Sequence, residues 1–269
     1  MISSTFFFIF SQLSVGMLLT LLFISPRVIG KSFFEFASKT AAILMGVTLG
    51  FDFLFPSMVR DSSLPFVFLL ISALLAGVYN RTVNIDKFGP GYVLLIASTV
   101  AGLVSIVSDS LAFTRLMELG GWERWLLLLN HLAATALLGS GMLAMVFGHW
   151  YLVVPKLSIE PLRMLTKVYI AAVGFRALTI LVSLVTIQAV LDVSMMNIAS
   201  ELLLTQALFF WPRILFGVLI PLVLGFMTWT TVELRHTQSA TGLLYVVVVT
   251  LLFGEFFSKF LLFSINVPL

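Results

Sequence analysis

Eight apolar runs, each near the roughly 20 residues that carry a helix across a bilayer, follow one another through this chain with only short polar clusters between them. They lie at about residues 4–25, 38–58, 64–80, 90–113, 124–150, 164–190, 203–231 and 241–266. A helix satisfies its own backbone hydrogen bonds, which lipid cannot do for it, so runs of this length read as spanning helices. Sixty per cent of residues are hydrophobic, ten per cent are charged and mean hydropathy is +1.13. A water-soluble surface cannot be built from that balance. The expected fold is an all-α integral membrane bundle of about eight transmembrane helices. No loop is long enough for a second domain, so residues 1–269 form one helical-bundle domain.

The chain has no cysteine, which excludes disulfides, cysteine-held iron–sulfur clusters and covalently attached c-type haem within it. The first run, MISSTFFFIFSQLSVGMLLTLLFISPR, lacks a basic n-region and a small-x-small cleavage site. It reads as a retained first helix rather than a signal peptide. The net charge of +3 reflects topology, not nucleic acid. One set of alternate loops holds Arg27, Lys31, Lys39, Arg81, Lys87, Lys156, Arg163, Lys167 and Arg235, nine residues; the other holds Arg60, Arg115 and Arg124, three. The positive-inside rule then sets both termini outside, with Trp122, Trp125, Trp150 and Tyr151 as interface anchors. Pro212 and Pro221 fall inside the seventh run and predict a kink or local opening there.

Charge inside hydrocarbon costs several kcal/mol per group by most measures and needs a reason. The candidates are Asp52, Asp109, Arg176, Arg213, Glu255 and Lys259, with Gln12, His131 and Gln188 as uncharged polar residues. All but Arg176 and Gln188 fall in the outer half of the expected topology, and Arg176 lies nearer the middle or the cytoplasmic side. That depth suggests one polar pocket, against the alternative of separate structural pairs such as Glu255 with Lys259 at i,i+4. Small residues point to helix packing: Gly46 and Gly50 make a GxxxG step, and Gly139-Ser140-Gly141 a thin site. His131 and His149 share one helix face about 27 Å apart, too far to hold one haem together. A third histidine, His236, sits in a loop, so paired bis-histidine haems are excluded; a single haem with His/Met ligation is the weaker option left, and haem is not expected.

Several stretches resemble the eight-helix membrane anchors of molybdenum oxidoreductases, of the dimethyl sulfoxide reductase and polysulfide reductase type. These are FFFIFSQLSVGMLL, LNHLAATALLGSGMLAMVFG, ELLLTQALFFWPRILFGVLIPL and LLYVVVVTLLFGEFFSKFLLF. The resemblance covers four of the eight runs, and HWYLVVPKLSIEPLR has no counterpart in it. It implies an inner-membrane subunit that binds quinol or quinone and exchanges electrons with an iron–sulfur partner beside a molybdenum-containing subunit. His131, Asp109 and Glu255 would then exchange protons, while Gln12, Asp52, Arg213 and Lys259 would line the quinone pocket. A proton-coupled transporter and a non-catalytic scaffold subunit are the competing expectations.

Overall fold

A computed structural model describes residues 2–24, 29–56, 63–85, 88–116, 121–154, 157–190, 204 and 206–265, without the side chains of 88, 187–190 and 265. Arg27, Arg60, Lys87 and Lys156, which enter the charge count, and the side chain of Gln188 lie outside the described residues. The described residues are helical, with eight helices long and apolar enough to cross a membrane. The first six spans are α1 (Ile2–Leu21), α2 (Lys31–Leu54), α3 (Leu64–Asn84), α4 (Phe88–Leu116), α5 (Gly121–Val153) and α6 (Glu160–Val190). The seventh is built from α7 (Ala207–Ile214), a π-helical turn at Leu215–Leu219 and α8 (Ile220–Glu233); the eighth is α9 (Thr237–Ile265). Several helices outrun their apolar stretches. α2 takes in Lys31 and Lys39, expected in a loop, because a helix continues wherever its backbone is bonded.

Burial picks out the centre. The apolar windows of α1 and α5 are 72% buried, whereas that of the seventh span is 22% buried. Glycine allows the central pair to close: a methyl added at Gly16 would overlap the backbone of Thr135 and Gly139, and one at Gly139 would overlap Gly16. The ring of Phe8 meets that of His131 with centroids 4.8 Å apart. Since 8 pairs with 131 and 16 with 139, α1 and α5 run parallel. α9 runs antiparallel to α5, with Gly141 against Leu251 and Gly148 against Thr241. The expected close packing at Gly139-Ser140-Gly141 is thus observed. The GxxxG step of α2 is not used in this way: nothing lies within 4 Å of a methyl built on Gly46 or Gly50. These two glycines are on the exposed face of α2, because it meets its neighbours through Phe33, Ala37, Ala41 and Met45 instead.

Hydroxyl groups fasten neighbouring helices where apolar contact alone gives little preference for one partner over lipid. Ser72 Oγ donates to Ser98 O at 2.8 Å and Ser98 Oγ to Ser72 O at 2.7 Å, a reciprocal link between α3 and α4. Tyr169 Oη donates to Pro221 O at 2.7 Å, joining α6 to the broken seventh span. The break has a local cause. Pro221 has no N–H to return to residue 217, and the chain widens so that the Ile220 N–H reaches Leu215 O instead. The kink predicted from Pro212 and Pro221 is a π-helical turn lying between them.

Candidate functional site

At the end of the bundle where α1 and α5 begin, buried polar side chains from several helices fall in one layer. Arg176 of α6 is its hub. Its Nε and Nη2 donate to the two oxygens of Glu255 on α9, at 3.1 and 3.2 Å. Nη1 donates to Asn130 O at 3.1 Å and Asn130 Oδ1 at 2.6 Å on α5, and Nη2 also reaches Ser258 Oγ at 3.3 Å. The Asn130 amide is fixed in turn, its Nδ2 donating to Leu126 O at 2.9 Å and Ser183 Oγ at 2.7 Å. Arg176 and Glu255 are fully buried. A fork-shaped guanidinium on a carboxylate, with its remaining donors on an amide and a hydroxyl, is the arrangement a buried ion pair requires.

Arg213 of α7 approaches the same carboxylate differently. Its Nη2 lies 3.3 Å from Glu255 Oε1, yet no nitrogen of its guanidinium has a hydrogen-bond partner. The contact is therefore ionic, without hydrogen-bond alignment. Gly217 leaves the space for it, since a methyl there would fall on Arg213 Nη1. Gly217 also lies against Gly254, where a methyl would meet the facing backbone. The π-helical turn, its glycine and the arginine head form one unit.

One helical turn along α9, Lys259 is buried with its Nζ 5.4 Å from the centre of the Phe8 ring. The expected i,i+4 pair does not form: Glu255 faces Arg176 and Arg213, and the described residues show no ion pair between Glu255 and Lys259. Two guanidiniums outcompete one flexible ammonium for the carboxylate, because their planar forks match it better. Lys259 instead borders a cavity of about 10 Å³ with Leu127, Asn130, His131, Arg176, Ser258 and Leu262. His131 contributes Nε2, which has no hydrogen-bond partner, while its Nδ1 lies 2.6 Å from Ser110 Oγ on α4. Phe8, Phe113, Leu127 and Leu262 pack as an apolar cluster at this level.

The seven residues expected to exchange protons or line a quinone pocket are all buried. His131 and Lys259 share the cavity, and Glu255 and Arg213 meet each other beside it. Asp109, next to Ser110 on α4, lies within electrostatic range of Lys259 and of Asp52 on α2. Gln12 follows Phe8 by one turn of α1, and neither atom of its amide has a partner. Arg176, expected deeper and apart, belongs to the same layer as Glu255. Its position along a long α6 matches that of Glu255 along the parallel α9, a register that composition does not reveal. Asn130, Ser110 and Ser258 were not singled out at all. Each directly adjoins a residue that was, in the dipeptides NH, DS and SK, and a doublet of polar residues in an apolar run was the available signal.

His149 lies away from the layer, at the far end of α5, its Nδ1 2.8 Å from the Tyr245 hydroxyl. Among the described residues no three His, Cys, Asp or Glu side chains come together to hold a metal ion. Neither a family model, nor a curated protein, nor a solved structure matches the chain.

Proposed function

We propose that this multi-pass protein handles protons at its buried charged layer, as a membrane subunit of a redox assembly in a bacterial cytoplasmic membrane with both termini outside. The observation that supports the proton reading is the grouping of Asp109, His131 and Lys259 from three helices beside the Arg176–Glu255 pair, with His131 Nε2 unbonded beside a cavity. Buried titratable groups inside a membrane bundle are functional-site candidates by default, proton relays among them. The redox assignment rests on the sequence resemblance to molybdenum-oxidoreductase anchors, with an iron–sulfur subunit and a molybdenum-containing subunit as partners. The cavity has room for about one water and does not fit a quinone ring. A quinone serving this protein would meet the bundle outside this cavity, with the cavity's groups supplying proton exchange.

A second reading, a proton-coupled transporter, is favoured by the π-helical turn beside Arg213. Helix breaks next to buried charge are where transporters place their binding sites. Purification in mild detergent separates the two. The redox reading expects iron–sulfur and molybdenum-containing subunits to travel with this chain. Isolation of the chain alone, together with solute-driven proton uptake in vesicles, contradicts it and supports transport.

A further inference from the structure

The hydrogen bonds around the cavity determine what its walls can still accept. Ser110 has one hydroxyl proton, and it points to Ile106 O at 2.8 Å. With that proton on Ile106 O, the same oxygen accepts toward His131 Nδ1 at 2.6 Å, an arrangement that corresponds to the Nδ1-protonated tautomer of the ring. A neutral imidazole protonated at Nδ1 presents Nε2 as a bare acceptor. That nitrogen is buried, borders the cavity and has no partner.

The other polar walls narrow the donor. The five N–H groups of Arg176 are matched by five contacts, to Glu255 twice, Asn130 twice and Ser258 once. Both protons of the Asn130 amide are used on Leu126 O and Ser183 Oγ. Lys259, with three N–H donors, also lines the cavity and makes no ion pair to Glu255 among the described residues. The cavity between it and His131 measures about 10 Å³, close to the least space a buried water needs.

We propose that this cavity is a binding site for one ordered water molecule, which donates to His131 Nε2 and accepts from Lys259 Nζ. Bound there, the water completes a continuous polar path from Ser110 on α4 through His131 on α5 to Lys259 on α9. Its mechanistic use rests on the proton reading above. An ammonium proton passes from Lys259 to the water as a water proton passes to Nε2, leaving a neutral amine, an intact water and an imidazolium. The charged groups that act on Lys259 are Glu255, Arg176, Arg213 and Asp109, and those that act on His131 are Lys259 and Arg176.

Solid-state NMR of nitrogen-15 histidine-labelled protein in lipid bilayers tests the site without any assay of activity. The chain has three histidines, and the His131 signals are assigned by their loss in His131→Gln. The expected result is an Nδ1-protonated ring whose unprotonated Nε2 receives magnetisation from water protons. In Leu127→Phe, which fills the cavity and leaves every polar wall group in place, that transfer falls at least severalfold. A protonated Nε2 in the wild type, in either the neutral or the cationic ring, overturns the proposal. So does the absence of transfer from water to Nε2 in the wild type. Neither result touches the proton reading, which fails instead if the layer does not exchange protons while the water is present.

Discussion

Two groups of buried polar side chains lie side by side in this bundle and are treated in opposite ways. Arg176, Glu255, Asn130 and Ser258 are bonded to one another through nearly every polar atom. His131, Gln12 and Arg213 keep buried nitrogen or oxygen atoms without hydrogen-bond partners. Burial is the same for both, since all are nine-tenths buried or more. A satisfied network specifies and rigidifies a packing arrangement. An unsatisfied buried atom costs about 1–3 kcal/mol and persists in a native fold for some other reason. The first group is a clamp across α5, α6 and α9. The second is where chemistry has room to occur.

Substitutions that break this contrast are ordered by size. Glu255→Ala leaves two arginines buried without their carboxylate, and its expected cost is about 3–5 kcal/mol. Thermal unfolding of the purified protein in detergent measures it, and a loss below about 1 kcal/mol removes the clamp from the account. Gly217→Leu forces a side chain onto Arg213 and Gly254 and is expected to cost about 1–3 kcal/mol through overpacking; the same unfolding assay reads it, and a neutral result shows that the π-helical turn yields. Tyr169→Phe removes only the hydrogen bond to Pro221 and is expected to cost about 1 kcal/mol. His131→Leu removes the Nδ1 contact to Ser110, which keeps its own hydrogen bond to Ile106, and is expected to cost about 1 kcal/mol. If His131→Leu unfolds the protein as Glu255→Ala does, the division into clamp and working group collapses.

Much of the architecture was legible because length and hydropathy determine what a chain this apolar can do. The eight spans, the break at Pro212 and Pro221 and the close approach at Gly139 all follow from local rules, and the structure shows each of them. Partner choice did not. Glu255 and Lys259 are neighbours on one helix face, and only the arrival of Arg176 and Arg213 from other helices explains why they do not pair. Gly46 and Gly50 carry the sequence signature of a helix crossing, yet which face of α2 turns inward is decided by Phe33 and Ala37, whose neighbours are remote in sequence. The site residues were found by type, since charge in an apolar run is conspicuous. Their division into satisfied and unsatisfied groups depends on angles and distances that no spacing encodes.

The central claim is that the buried layer exchanges protons with the aqueous phase, and infrared difference spectroscopy of the protein in lipid bilayers addresses it without a known substrate. Stepping the bulk pH, in ordinary and in heavy water, should give reversible carboxyl and imidazole bands. Asp109→Asn should remove the carboxyl component and His131→Gln the imidazole component, with the fold intact by unfolding temperature. A pH-difference spectrum identical in the wild type and both variants contradicts the claim and leaves the layer as a structural clamp alone.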